Sequence, residues 1–302
     1  MDDRIYDGVL DLVGRTPLVR LPRLSPKRGA EICGKLERNN PAGSVKDRPA
    51  LAMLEAAADG GQIGEGATIV EATSGNTGIS LAAICAVKGY RCVLVMPEDM
   101  SVSRRQILRS YGADVVLTPA QEGMAGAVER AGRLLEETDG AFMPSQFENP
   151  ANPDSHAETT AEEIWRATGG EVDAFVAGVG TGGTVTGVGR VLKERNPDLK
   201  VVAVEPRASA VLSGGRPGLH GIQGLGAGFV PDVLDRALVD EVVTVTDLAA
   251  DRMTRRLARD EGLLLGPSSG ANVHASLEVA KRLKKGRRVV TILCDGGERY
   301  LC

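Results

Sequence analysis

Aromatic residues are scarce in this chain: four Phe, four Tyr and one Trp make up 3% of 302 residues. A core built from what remains has to be aliphatic and alanine-rich. Histidine is scarcer still. His156, His220 and His274 are scattered, and the five cysteines (Cys33, Cys85, Cys92, Cys294, Cys302) contain no C-x-x-C pair. The usual ligand spacing of a zinc site is therefore missing, and no metal is expected. An odd number of cysteines, three in apolar segments, reads as buried free thiols in a cytoplasmic protein. No apolar stretch approaches the ~20 residues of a membrane span. The acidic N-terminus has no apolar run, so no signal peptide is expected. Net charge is −4 without a long basic run, which leaves a nucleic-acid partner without an electrostatic footprint. The densest basic cluster, from Lys281 to Arg288, reads as the end of a helix, where cations are favoured.

What is present is an ordinary globular composition, 42% hydrophobic and 25% charged, in a chain long enough for two domains. The segments 16–21 and 31–37 alternate like strands. From residue 44 onward, helical and strand patterns take turns. Strands are expected at 68–72, 92–97 and 114–117, with helices at 50–57, 79–88, 101–111 and 125–137. A polar stretch with Pro144, Pro150 and Pro153 interrupts the pattern and is the best domain boundary. The pattern then restarts with a helix over 157–168, strands at 174–178, 201–205 and 288–294, and helices to about Arg195, at 247–261 and to about Lys285. Residues 206–231 are glycine-rich with little periodicity, a length of loop that is usually functional or mobile. Strands alternating with helices at this spacing predict α/β architecture with mostly parallel sheets, two in number, covered on both faces.

Four stretches carry chemistry. The first runs from Asn39 to Pro49 and contains Lys46 between a turn and a helix start, with Ser44 or Asp47 expected as N-cap and Pro49 in the first turn. The positive end of a helix disfavours a second positive charge and so lowers the lysine pKa. Such a lysine forms a Schiff base with an aldehyde readily, although a lone lysine is more often a solvated surface group. The second stretch is Thr73-Ser74-Gly75-Asn76-Thr77-Gly78, small hydroxyl and amide residues between strand and helix, suited to cradling a carboxylate. The third is Gly178-Val179-Gly180-Thr181-Gly182-Gly183-Thr184, where glycines let backbone approach a phosphate at a helix start. It also satisfies G-x-G-x-x-G, and Glu205 ends the next strand where a dinucleotide site has its ribose-binding acid. A dinucleotide-dependent oxidoreductase is thus the rival reading, though it leaves Lys46 and the 73–78 loop without roles. The fourth is Pro267-Ser268-Ser269-Gly270-Ala271-Asn272, read as a turn at another helix start, where a serine by itself is only an N-cap.

Taken in order along the chain, from Val13-Gly14-Arg15-Thr16-Pro17-Leu18 to Gly297-Glu298-Arg299-Tyr300, these motifs resemble the cysteine synthase (O-acetylserine sulfhydrylase) family of fold-type II pyridoxal-phosphate enzymes. The resemblance implies two doubly wound α/β domains of the tryptophan synthase β-like type. The smaller, mobile one would comprise 41–150 and bind the substrate carboxylate; the larger would comprise 1–40 plus 151–302 and bind the cofactor phosphate. It implies that Lys46 holds pyridoxal 5'-phosphate as a Schiff base and that Asn76 meets the ring hydroxyl oxygen. Gly180, Thr181, Gly182, Gly183 and Thr184 would bind the phosphate, and Ser268 would face the pyridine nitrogen. Thr73, Ser74, Thr77 and Gln146 would hold the substrate carboxylate. The implied reaction is β-replacement, O-acetyl-L-serine plus sulfide giving L-cysteine and acetate through an aminoacrylate. The alternatives are cystathionine β-synthase chemistry and an O-phosphoserine donor, with Arg216 available for a second phosphate. The implied partners are a second copy of the chain, as a homodimer, and the C-terminal tail of serine acetyltransferase. Where relatives often carry a pair of small hydroxyl residues, or Asp-Ser, before Gly-Glu-Arg-Tyr, this chain has Asp295-Gly296-Gly297 after Cys294.

Overall fold

The computed structural model describes residues 5–301; the terminal Cys302 lies outside them. The strands in chain order are β1 (Leu18–Arg20), β2 (Glu31–Leu36), β3 (Thr68–Ala72), β4 (Arg91–Pro97), β5 (Asp114–Thr118), β6 (Ala174–Gly178), β7 (Lys200–Pro206), β8 (Glu241–Val245) and β9 (Arg288–Leu293). The helices are α1 (Asp47–Asp59), α2 (Asn76–Lys88), α3 (Val102–Ser110), α4 (Gly123–Glu137), α5 (Ala151–Ser155), α6 (Glu162–Thr168), α7 (Gly183–Arg195), α8 (Asp247–Glu261) and α9 (Pro267–Arg282).

Two sheets form, one of six strands in the order β1-β2-β9-β6-β7-β8 and one of three in the order β3-β4-β5. Every pairing is parallel except β1 with β2. The two-residue period of a strand sends neighbours to opposite faces, and here both faces are apolar. In β6, Ala174 and Val176 join one core, and Phe175 and Ala177 the other. In β4, Cys92, Leu94 and Met96 pack on the α2 side, while Val93 and Val95 meet Ala127 and Ala131 of α4. Both sheets are therefore covered on both sides, as the near-continuous apolar strand sequences require.

Several boundaries differ from expectation. Neither Ser44 nor Asp47 caps α1. Lys46 itself occupies the cap position without a side-chain bond. The Asp47 carboxylate instead accepts the Ala42 N–H and the Ser80 hydroxyl, both at 2.6 Å, and ties the turn before Lys46 to α2. The proline-rich break ends at Pro150, because Pro153 falls in the first turn of α5, where its missing N–H costs nothing. The helix expected over 157–168 is broken by a π-helical segment, His156–Ala161, between α5 and α6. The turn expected at 267–272 is the first turn of α9. Only Leu18–Arg20 of 16–21 is strand. The edge strand β8 had not been expected, although Glu-Val-Val-Thr-Val is rich in β-branched residues.

A buried ionic cluster anchors the segment leading to Lys46. The Arg48 guanidinium meets Glu37 at 2.8 Å and Glu163 at 2.8 Å; its own side chain is 2% exposed and that of Glu37 0%. Lys35 reaches Glu163 at 2.5 Å, and Thr16 donates to Glu37 at 2.6 Å. Asn40, in the turn before Lys46, donates to Glu37 at 2.7 Å and to the Ser44 carbonyl at 3.0 Å. Burial alone would push the Glu163 carboxyl up, but hydrogen bonds and charge from Arg48 and Lys35 prevail and hold it at about 2. A carboxylate held that low stabilises the fold fully above its ordinary value of 4.5, and the contribution is lost as pH falls toward about 2. Breaking such a cluster costs roughly 3–5 kcal/mol. Glu163→Gln should lower stability by about that much at neutral pH and flatten the acid limb of the stability profile, read from thermal melts between pH 2 and 7.

Candidate active site

Loops at the carboxyl ends of the parallel strands enclose a cavity of about 350 Å³, the position where open α/β sheets bind ligands. Lys46 enters it from the start of α1. The Val45 N–H donates to the Cys294 carbonyl at 2.8 Å and Ser44 bridges to Asp295, so the lysine lies against the end of β9. The side chain is half-buried and opens onto the cavity. Burial draws its ammonium below the usual lysine range, against the opposing charges of Cys294 and Asp295. Opposite it stands the loop after β6. Gly182 caps α7 at φ +88°, and the first N–H groups of a helix have no partner within it. A Cβ at Gly180 would lie 2.3 Å from the Gly224 carbonyl oxygen, so a larger residue cannot occupy that position without moving backbone.

The cavity gathers Lys46, Thr73, Ser74, Asn76, Thr77, Gln146, Gly180, Thr181, Gly182, Thr184 and Ser268. Gly183 is buried just behind this lining, as the first residue of α7. Thr77 donates to the Gln146 side-chain oxygen at 2.6 Å, joining the 73–78 loop to the segment after β5 and α4. Asn76 opens α2 and donates to Asp295 at 2.6 Å while its oxygen accepts from Arg299. One of its N–H groups remains for a ligand. Ser268 is buried, with its hydroxyl directed at the Cys294 thiol, whose pKa burial and the Asp295 charge push up to about 11.

Two expectations fare differently. Glu205 does not line the cavity. Its carboxylate accepts from the Leu212 N–H at 2.8 Å and from the backbone and hydroxyl of Ser213 at 3.0 and 2.6 Å, pinning the loop after β7. That leaves it no role as a ribose-binding acid. Arg216 is exposed and outside the lining.

Sequence reasoning missed the residues that support this lining. Asn152 donates to the Gln146 carbonyl at 2.7 Å and to the Thr181 hydroxyl at 3.0 Å, joining the two loops behind the cavity. His156, in the π-helical segment, meets Thr184 at 3.2 Å and Thr160 at 2.9 Å. Burial, with the charge of Arg48 adding to it, depresses the His156 pKa to about 3, so the ring is neutral. Arg104 of α3 donates to the Ser74 carbonyl at 3.0 Å and to Gln223 at 2.5 Å, linking the 73–78 loop to the glycine-rich segment after β7. Of these, only Asn152 lies in a stretch that stood out in sequence, the proline-rich break, and there as a domain boundary and not as part of a site.

The family model described as "Pyridoxal-phosphate dependent enzyme" matches residues 9–295. This chain belongs to the pyridoxal-phosphate dependent enzyme family. It is 52% identical over 302 residues to a cysteine synthase of Staphylococcus aureus strain Mu50, covering all of this chain and 97% of the relative. Among solved structures, an O-ureido-L-serine synthase superposes with a TM-score of 0.96 at 45% identity, over 99% of this chain and 94% of that one. A cysteine synthase of Entamoeba histolytica does so with a TM-score of 0.94 at 43% identity, over 99% and 90%.

The residues of this pyridoxal-phosphate enzyme fit its cofactor. An amine drawn below its usual pKa faces a glycine cradle at a helix N-terminus across one cavity. Asn272 lines the same space with a buried side-chain oxygen that has no protein partner. Filling the cradle tests the fit. Gly180→Ala should weaken pyridoxal phosphate binding about tenfold or more, since overpacking costs ~1–3 kcal/mol, while circular dichroism stays native. An absorbance titration of apoprotein measures this.

Proposed function

We propose that this chain is a cysteine synthase that converts O-acetyl-L-serine and sulfide to L-cysteine and acetate. The observation that carries the reading is Lys46, a partly buried amine with depressed basicity, at the meeting point of the 73–78 loop, the 178–184 loop and the start of α9. When bound, pyridoxal phosphate supplies an aldehyde that condenses with amines and a ring that takes up the electron pair left at a substrate Cα. In this reading Gly180 to Thr184 hold its phosphate through the N-terminus of α7, Asn76 donates to its ring hydroxyl oxygen, and the Ser268 hydroxyl faces its ring nitrogen.

The rest is work for the protein's own side chains. Thr73, Ser74, Thr77 and Gln146 fix the donor's carboxylate, which aligns its Cα–H with the Lys46 amine. Lys46 Nζ takes the Cα proton, acetate leaves from Cβ with the bonding electron pair, hydrosulfide adds at Cβ, and Lys46 Nζ returns its proton to Cα, giving L-cysteine. The low basicity imposed by burial keeps a fraction of Nζ unprotonated and able to act as base. Drawing the 73–78 loop over the carboxylate excludes water from the reacting carbon. Arg216 stands outside the cavity lining, which favours an acetyl ester over a phosphate ester on the donor.

The same reading divides the chain into a smaller unit, 41–150, around the three-stranded sheet, and a larger unit, 1–40 plus 151–302, around the six-stranded sheet. The smaller unit moves when the donor binds. In this reading the enzyme works in the cytoplasm as a homodimer. Among the described residues no helix is long and apolar enough to cross a membrane. A groove lined by Val9, Val13, Ala83, Val87 and Tyr111, with Val9 and Val87 exposed, is an apolar surface for the second copy. Light scattering should return twice the mass of one chain, and Val87→Asp should shift the population toward monomer.

Activity is tested with O-acetylserine, O-phosphoserine and serine, each against sulfide and homocysteine. Cysteine formation from O-acetylserine and sulfide should dominate, and a peptide copying a serine acetyltransferase C-terminus should compete with the donor. Lys46→Ala should lose both the near-violet absorbance of the holoenzyme and at least about a thousandfold in turnover, the scale expected when a residue acts as both attachment point and base. Wild-type turnover in that variant would refute the reading.

A further inference from the structure

Gln146 reaches the cavity from an unusual piece of backbone. Along the outer edge of β3, the chain before it pairs for one step only. The Phe142 N–H donates to the Thr68 carbonyl and the Val70 N–H to the Phe142 carbonyl, both at 2.9 Å. Beyond this point the segment leaves the strand, and a side chain takes over. The Glu71 carboxylate, 5% exposed in β3, accepts the Ser145 N–H at 3.0 Å. Ser145 has φ +52°, one of two non-glycine residues with positive φ among the described residues. That conformation costs a non-glycine residue of order 1–3 kcal/mol and persists only where its surroundings hold it. The Ser145 carbonyl is held as well, by the N–H groups of Glu148 at 2.9 Å and Asn149 at 3.0 Å. The next residue is Gln146, with its side chain on Thr77 and its carbonyl on Asn152.

We infer that Glu71 is a positioning residue for the donor-carboxylate site, acting through the backbone of Ser145 to aim the Gln146 side chain into the cavity. This rests on the reading that Gln146 holds the donor's carboxylate. A carboxylate suits the task because it supplies a strong acceptor where the strand edge no longer offers a carbonyl. A buried N–H left without that acceptor is costly, and Ser145 then relaxes to negative φ, turning Gln146 away from Thr77. Burial pushes the Glu71 carboxyl up to about 7 against the backbone bonds it accepts, so this anchor is retained at a cost to the fold. The residue lies in the strand that leads directly into Thr73 and Ser74, so one strand end sets both halves of the carboxylate cradle.

The test uses the holoenzyme with O-acetylserine and sulfide. Glu71→Gln keeps an acceptor oxygen at the same reach and should stay within about threefold of wild-type KM for the donor. Glu71→Leu should raise that KM about tenfold or more with kcat within about threefold, and leave the resting absorbance of the bound cofactor unchanged. Adding Ser145→Gly to Glu71→Leu should restore most of the KM, because glycine adopts positive φ without an anchor. Ser145→Val, at a half-buried position less prone to unfold the sheet, should reproduce the KM rise with Glu71 intact. An unchanged KM in both Glu71→Leu and Ser145→Val, or a raised KM that Ser145→Gly leaves uncorrected, would overturn the inference. Gln146→Ala is the control for the underlying reading. If it leaves the donor KM unchanged, Gln146 does not hold the carboxylate; if it raises KM while the Glu71 and Ser145 variants do not, only the positioning role fails.

Discussion

An amine kept out of bulk water without an ion pair is the condition that the site depends on. Lys46, Asp47 and Arg48 are consecutive at the start of α1, and the ~100° turn per helical residue sends them three ways. Lys46 goes to the cavity, Asp47 to the Ala42 N–H and Ser80, and Arg48 into the cluster with Glu37 and Glu163. Arg48 is satisfied by carboxylates and Asp47 by neutral donors, and among the described residues no carboxylate forms an ion pair with Lys46. Burial is then free to lower its basicity, as a desolvated ammonium must respond. A carboxylate in contact would raise it instead, and the amine would stay protonated.

Around that amine the cavity is closed by polar contacts between loops rather than by a shared apolar core. Arg104 spans from Ser74 to Gln223, Asn76 meets Asp295, and Asn152 joins Gln146 to Thr181. The apolar cores of the two sheets are separate clusters on either side. Hydrogen bonds of this kind have small net strength, so they can be exchanged for bonds to a ligand without disturbing either core. That division lets the strands be rigid while the residues at their ends answer to what is bound.

Much of the fold was legible in the chain. Apolar runs at β3, β4, β6 and β9, separated by helices at regular spacing, specify parallel sheets because a strand covered on both faces has no polar side to show. Lys46, Thr73 to Gly78 and Gly178 to Thr184 were legible for a related reason: small residues and glycines at strand ends answer to backbone geometry, which is local. The supporting residues were not. Asn152 and His156 looked like ordinary polar residues near a proline-rich break, since their roles lie in contacts to Gln146, Thr181 and Thr184. Glu205 shows the converse. Its spacing from Gly178 suited a ribose-binding acid, and it serves a backbone turn instead.

Local rules, then, are what the amino-acid order decided by itself: the alternation of elements, the parallel sheets, the glycine loops and the presence of one lysine at a helix start. Tertiary structure alone decided where each charge and polar group finds its partner. It paired Arg48 with Glu163, 115 positions away, set Cys294 and Asp295 beside Lys46, and placed Glu71 beneath Ser145. The reason is physical. Backbone geometry and hydrophobic period act over a few neighbouring residues, whereas desolvation and hydrogen bonding depend on which distant segments the closed sheets bring within about 3 Å.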